Sequence, residues 1–156
     1  MYTLKRSTAI QCSMEKAWDF IQHPENLNQI TPDDMDFEIC SPIPNKMYDG
    51  LIVEYRIQLP VIGRRTWVSE LKHIQEGHSF VDEQREGPYK FWYHHHVIEP
   101  TPTGVKMTDV IHYDVPFGLI GQLAHILFIR KMLEKIFEYR NEVLPQLLNE
   151  PKPPVA

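Results

Sequence analysis

The last part of the chain, PFGLIGQLAHILFIRKMLEKIFEYRNEVLPQLL at residues 116–148, has the pattern of one long helix. Apolar residues recur there at spacings of three and four, which is typical of a helix with one buried stripe. The stripe consists of Leu119, Ile126, Ile129, Leu133, Ile136, Phe137, Val143, Leu144 and Leu147. At about 1.5 Å per residue, such a helix spans roughly 45 Å and crosses a whole small domain. We therefore predict one long C-terminal helix, around which the rest of the chain folds.

The first part of this helix is apolar nearly all round, because Leu123, Ala124, Leu127 and Phe128 add a second apolar side. Three surfaces could receive that side: the short N-terminal helices, a second copy of the chain in a homodimer, or a membrane surface. We expect the short helices to receive it. The preceding glycines, at 118 and 121, suit either a hinge beside a cavity mouth or simple close packing.

Composition limits the class of protein. The 156 residues suffice for one domain with a single core, with 42% hydrophobic and 24% charged residues. A formal charge of −5 argues against nucleic acid as the main partner. Two cysteines make no disulfide framework, and no signal peptide or membrane-spanning run is evident, so we expect a cytoplasmic protein without stable membrane insertion. We predict one domain at 1–149 and a flexible Pro-rich tail at 150–156.

The remaining chain reads as one strand, two short helices and about six further strands. Strand patterns cover 2–12, 36–40, 51–59, 65–75, 80–85, 89–99 and 105–115, and short helices cover 15–22 and 24–30, with Ser13 as N-cap. Tight turns between consecutive strands predict an antiparallel meander with one face to bury. The fold class is α+β: a curved sheet of six or seven strands around the long helix, with a cavity between them.

Three stretches carry a family resemblance: SMEKAWDFIQHPENLNQITP at 13–32, FVDEQREGPYKFWYHHHVIE at 80–99, and MTDVIHYDVPFGLIGQLAHILFIRKMLEKIFEYR at 107–140. With the strands between them, they resemble the helix-grip fold of the START-like (SRPBCC) ligand-binding superfamily, which includes the birch-pollen-allergen type. The chain is most similar to a bacterial, polyketide-cyclase-like branch. The resemblance implies a cavity for a small hydrophobic or amphipathic molecule, but no particular reaction.

The resemblance also orients the strand at 89–99, because its W-x-H-x-H pattern points Trp92, His94 and His96 inward. Alternation on the neighbouring strands then brings Asp82, Gln84, Asp109 and Tyr113 to the same face. The candidate ligand-binding residues are Tyr55, Trp67, Asp82, Gln84, Trp92, His94, His96, Asp109, Tyr113, Phe117 and Leu123.

Four interpretations of the inward polar residues stay open: a structural hydrogen-bond network, a site for a ligand's polar group, an acid–base pair, and a metal site. His94 and His96 could share an ion with Asp109 or Asp82 as third ligand. No H-x-x-x-H motif or cysteine pair supports a metal, so we assign no metal, cofactor or catalytic residue. The other histidines singled out, at 23, 73, 78, 112 and 125, are expected to be solvated.

Three functions compete at this point. The first is a carrier or sensor that binds a small hydrophobic molecule in the cavity. The second is a cyclase- or dehydratase-like enzyme that uses His94, His96 and Asp109 on a polyketide-type substrate. The third is an interaction module that uses the apolar start of the long helix. The first is favoured, because no phosphate loop, nucleophile elbow or Cys/His motif is present.

Overall fold

The computed structural model describes residues 1–60 and 62–150, so the predicted tail lies outside the described residues except for Glu150. Seven strands form one antiparallel sheet in the order β1-β7-β6-β5-β4-β3-β2. They are β1 (Tyr2–Ile10), β2 (Glu38–Ile39), β3 (Leu51–Leu59), β4 (Gly63–Gln75), β5 (Ser79–Glu86), β6 (Phe91–Thr101) and β7 (Gly104–Asp114). The predicted meander is confirmed, and β1 closes it by pairing with β7.

Helical segments cover one face of this sheet. Helix α1 (Met14–Ile21) follows β1, and Ser13 caps it by accepting a hydrogen bond from the backbone N–H of Lys16. Two 3₁₀ turns, Pro24–Ile30 and Asp33–Met35, then lead to β2. The C-terminal helix consists of α2 (Gly118–Ala124), one π-helical turn (His125–Ile129) and α3 (Arg130–Leu148). The α+β helix-grip fold is therefore confirmed.

The start of α2 depends on a close backbone approach. A Cβ atom at Gly121 would lie 1.8 Å from the carbonyl oxygen of Pro116, so only glycine fits there. Phe117, immediately before α2, has a φ of 68°, in the left-handed region that residues with side chains rarely adopt. The helix therefore begins at Gly118, two residues later than the predicted start at Pro116. Gly121 permits the close packing of the helix on the Pro116 carbonyl.

Two apolar clusters lie between the sheet and α3. One includes Ile10, Trp18, Val53, Ile98 and Leu144. The other contains Tyr89, Trp92, Ile111, Tyr113, Val115, Leu133 and Phe137. Along α3, Phe137 belongs to one cluster and Leu144 to the other, and Arg140 is the buried residue between them.

The second apolar side of the helix does not pack on the short helices, so that expectation was wrong. Leu119 and Ile126 were predicted to lie on the buried stripe, but they are exposed as well, so the stripe prediction was wrong at this end of the helix. The exposed residues here, which we call the apolar end, are Phe117, Leu119, Ile120, Leu123, Ile126, Leu127 and Phe128. Leu119 is 82% exposed and even Leu127, the least exposed of the seven, is 48% exposed. None of the helices in the described part of the chain is both long and apolar enough to cross a bilayer.

Candidate functional site

Strand register places four ionisable side chains together on the inner face of the sheet. Asp82 on β5 pairs with His94 on β6, and His96 on β6 pairs with Asp109 on β7. His94 and His96 are two residues apart and therefore point to the same side of β6. The inward orientation expected for this strand agrees with the burial, since Trp92, His94 and Ile98 are all buried.

Each imidazole of this cluster lies between the same two carboxylates. Nε2 of His94 is 2.8 Å from Oδ1 of Asp109, and its Nδ1 is 3.3 Å from Oδ2 of Asp82. Nδ1 of His96 is 3.0 Å from that Asp109 oxygen, and its Nε2 is 3.4 Å from Oδ2 of Asp82. The two rings lie side by side with centroids 3.7 Å apart and are tilted by 35° relative to each other. All four ring nitrogens therefore face carboxylate oxygens.

Two further polar side chains extend this polar cluster. Ser69 on β4 donates to Oδ1 of Asp82 at 3.1 Å and accepts a hydrogen bond from the indole N–H of Trp67. From α3, the buried Arg140 places its Nη1 3.7 Å from Oδ1 of Asp109, and its guanidinium lies 4.7 Å from the ring centre of Phe137. The polar cluster therefore joins the sheet to the helix between the two apolar clusters.

Burial and charge act in opposite directions on these groups. Burial alone would raise the pKa of Asp82 and Asp109, but the hydrogen bonds and charges of His94 and His96 outweigh it and hold both pKa values below the usual range. Burial alone would lower the pKa of His96, yet the two carboxylates together raise it. The cluster therefore favours the ionised carboxylates and the protonated form of His96.

Two internal cavities meet at the polar cluster. The inner cavity, of about 110 Å³, is lined on its apolar side by Tyr55, Trp67, Trp92, Leu133 and Phe137 and on its polar side by Asp82, His94, His96 and Arg140. A second cavity, of about 70 Å³, lies toward α1 and shares Tyr55, Asp82, His96 and Arg140 with the first. Polar groups thus occupy the middle of an otherwise apolar space.

A third space opens beside the apolar end. This outer groove, of about 200 Å³, runs between the β3–β4 turn and the C-terminal helix, and Phe117 and Phe128 line it. It shares Leu59, Tyr89 and Met132 with the inner cavity. The three spaces therefore follow one another along the helix, and the groove is on the side of the exposed apolar residues.

The structure brings most of the candidate ligand-binding residues to these spaces. The inner cavity is lined by Tyr55, Trp67, Asp82, Trp92, His94 and His96, the second cavity by Asp109, and the outer groove by Phe117. Three candidates line none of them. Gln84 instead holds the turn after β5 through two hydrogen bonds to the backbone of Tyr89, Tyr113 pairs with His125, and Leu123 is 58% exposed.

Sequence reasoning missed Arg140 and misplaced His125. An arginine in a helix usually lies on the solvated face, and only its position between Phe137 and Leu144 on the apolar stripe could have indicated burial. His125 was expected to be solvated but is only 5% exposed; it stacks on Tyr2 and shares a 2.8 Å hydrogen bond with the hydroxyl of Tyr113. Burial and the charge of Arg130 lower the pKa of His125.

Comparison of the fold with solved structures finds strong matches. A protein from Chromobacterium violaceum superimposes with a TM-score of 0.73 at 10% identity, over 97% of this chain and 100% of that one. A START superfamily protein from Mycobacterium smegmatis has a TM-score of 0.68 at 9% identity, over 95% and 97%. A nucleoside-diphosphate sugar epimerase from Corynebacterium glutamicum matches at 0.66 and 20% identity, over 92% of this chain but only 28% of that one.

These matches define the protein by its fold. The chain has the START-like helix-grip fold, as the sequence resemblance implied. No family model matches the sequence, and no match was found among curated proteins. At identities of 20% or below, these matches show the fold only, and function has to be inferred from the site itself.

Proposed function

We propose that this protein binds a small amphipathic molecule, as a carrier or sensor, with its apolar body in the inner cavity and a hydrogen-bond acceptor turned toward Arg140. The observation that carries the proposal is the Nε–H of Arg140, which is buried and finds no hydrogen-bond partner among the described residues. An unmet buried donor on a charged group is costly, and a ligand carboxylate or carbonyl would satisfy it.

The size of the spaces sets the size of the ligand. A cavity of about 150 Å³ can hold a benzene ring, whereas pockets for larger ligands reach roughly 300–1,000 Å³. The inner cavity, at about 110 Å³, is smaller than either. Met132 and Tyr89 separate it from the outer groove of about 200 Å³, and Met132 has a flexible side chain. A chain-like ligand that displaces Met132 would extend from Arg140 into the groove.

The geometry of the histidines supports binding rather than acid–base catalysis. A general base needs a free nitrogen within reach of the substrate's proton. All four ring nitrogens of His94 and His96 instead lie within 3.4 Å of Asp82 or Asp109. The cyclase- or dehydratase-like alternative would require one of these contacts to break before a proton could be taken.

The apolar end favours a second element of this function, namely loading of the ligand from an anionic membrane surface. No Asp or Glu occurs between Val115 and Leu133, although the whole chain carries a formal charge of −5. Arg130 and the exposed Lys131 follow the apolar residues directly, and Arg130 pairs with Glu134 at 3.0 Å. An apolar helix segment that contains no carboxylate and is followed by an exposed lysine is complementary to an anionic bilayer surface. Ligand taken up there would reach the outer groove first.

Two inferences about cellular context accompany this proposal. We expect the protein to work in the cytoplasm, where its free cysteines, Cys12 and Cys40, stay reduced. A second copy of the chain is the competing occupant of the apolar end. A hydrodynamic mass of one chain at high concentration, together with vesicle binding, would favour the membrane over the homodimer.

A matched ligand series tests the binding proposal. Octanoate, decanoate and dodecanoate should raise the melting temperature and quench the fluorescence of Trp67 and Trp92, because a ligand that binds only the native state stabilises it. The corresponding alkyl amines carry the same chains but no acceptor, and they should bind at least about tenfold more weakly, since hydrogen bonds to charged groups contribute roughly 1.5–3 kcal/mol. Equal affinity of acids and amines would refute the role of Arg140.

Variants separate the two halves of the site. Arg140→Met keeps the length of the side chain and removes its donors, so it should abolish the preference for acids while weak chain binding persists. Ile136→Trp fills the inner cavity and should abolish binding of the whole series. Leu147→Trp is the control, because Leu147 lies on the same helix, is 39% exposed and lines none of the three spaces.

A further inference from the structure

One donor atom from each of Asp82, His94 and His96 lies within 4.8 Å of the others. Nδ1 of His94 and Nε2 of His96 are 3.3 and 3.4 Å from Oδ2 of Asp82. First-row metals bind such atoms at about 2.0–2.2 Å, which places neighbouring ligands of a tetrahedral ion about 3.4 Å apart. Both distances to Asp82 therefore match the spacing of ligands around one ion, and all three donors lie within 4.8 Å of one another.

The surrounding contacts match those that orient metal ligands. Metal-bound histidines usually turn their second ring nitrogen to a carboxylate. Here Oδ1 of Asp109 is 2.8 Å from Nε2 of His94 and 3.0 Å from Nδ1 of His96, the two nitrogens that face away from Asp82. Ser69 binds Oδ1 of Asp82 at 3.1 Å, which leaves Oδ2 for the ion. Asp109 and Ser69 therefore hold all three donors in place.

From this geometry we infer that Asp82, His94 and His96 bind one divalent first-row transition-metal ion of the Zn²⁺ type. Two imidazoles and one carboxylate on one side of an ion are a donor set that such metals prefer over Mg²⁺. All three residues line the inner cavity, so an ion reaches the site through that space. Metal binding is measured without organic ligand, so this inference can fail while the ligand proposal holds, and the reverse.

The test begins with protein stripped by a chelator. Zn²⁺ titrated by calorimetry should bind with a stoichiometry of one per chain and release protons at pH 6, because bound imidazoles must be neutral. Co²⁺ should give the intense visible absorption of a four- or five-coordinate ion rather than the weak spectrum of a hexaaqua-like surface ion. Mg²⁺ should not compete. Absence of saturable Zn²⁺ binding, or a six-coordinate Co²⁺ spectrum, would overturn the inference without any variant.

Variants then identify the ligands. Asp82→Asn and His96→Gln should each lose more than about 100-fold in Zn²⁺ affinity, since even loss of an orienting partner costs about 10- to 100-fold. Asp109→Asn should fall within that smaller range. His95→Gln is the matched control, because His95 is the neighbour on the outer face of β6 and lines neither internal cavity. Retained affinity in the folded Asp82→Asn protein, judged by circular dichroism, would place the ion elsewhere and refute the site.

Discussion

Replacing Asp109 by asparagine tests the electrostatics of the polar cluster most sharply. Asn keeps the shape of the side chain and one acceptor oxygen but removes the negative charge that faces His94, His96 and Arg140. Arg140 is 7% exposed, and Asp109 is the carboxylate paired with it. The variant therefore leaves a buried guanidinium without a counter-ion.

The expected cost can be worked out from the geometry. At 3.7 Å and an effective dielectric constant of about 20, the Asp109–Arg140 attraction is about 4.5 kcal/mol. Removing one partner of a buried pair typically costs about 3–5 kcal/mol. For a domain of this size, roughly 2–4 °C is lost per kcal/mol, so the melting temperature should fall by about 10 °C.

Urea and thermal unfolding at pH 6 in the presence of chelator provide the measurement. Asp114→Asn is the control, because Asp114 lies on the same strand, faces outward, and makes partly exposed ion pairs with Lys90 and the N-terminus. Its Oδ1 also accepts a hydrogen bond from the backbone N–H of Val115, and asparagine keeps that acceptor oxygen. Such surface pairs contribute about 0–1 kcal/mol. If Asp109→Asn costs no more than Asp114→Asn, the electrostatic account of the cluster is wrong.

Four further predictions concern the polar cluster, the start of α2 and the apolar end. The pKa of His96 is higher in the folded protein than in the unfolded chain, where it is about 6.5. Its contribution to the stability of the chelator-treated protein is complete below about pH 6.5 and is lost as the pH rises through the folded pKa. The free energy of unfolding should therefore fall more steeply between about pH 6 and 9 for wild type than for His96→Gln. The lowered pKa of Asp82 stabilises the fold above about pH 3.9 and loses that contribution on acidification, so Asp82→Asn should flatten the acid limb of the same profile. Gly121→Ala should destabilise by at least about 1–3 kcal/mol in urea, because its Cβ meets the Pro116 carbonyl, and an unchanged midpoint would contradict the described packing. Leu123→Asp should abolish sedimentation with vesicles containing anionic lipid, while Leu147→Asp should not; equal loss in both would contradict docking through the apolar end.

The sequence predicted the sheet and its inner face well, because alternation and register act over short distances. Leu51–Leu59 was predicted with its observed bounds, since apolar and polar residues alternate there without interruption. The family resemblance predicted that His94 and His96 face inward, and alternation on the two adjacent strands then brought Asp82 and Asp109 to the same face. Such local patterns constrain tertiary structure strongly.

The helix was harder to predict, because its surroundings depend on contacts between distant parts of the chain. The burial of Arg140 depends on Asp109, 31 positions earlier, and no helical pattern contains that information. The apolar residues around Leu123 indicated a surface buried within the domain, yet these residues are exposed. Hydrophobicity alone does not show which other surface, if any, covers an apolar side chain. Hydrophobic periodicity likewise could not predict the π-helical turn or the burial of His125.

Native mass spectrometry of the protein, purified without detergent from a cell that makes it, shows whether the inner cavity carries a bound molecule. We expect a population that carries one small ligand with a carboxylate or carbonyl group per chain. That mass should disappear in Ile136→Trp and persist in Leu147→Trp. A ligand retained in Ile136→Trp, or a bare chain that also gains no stability from the fatty acid series, would contradict the claim that the inner cavity is a binding site.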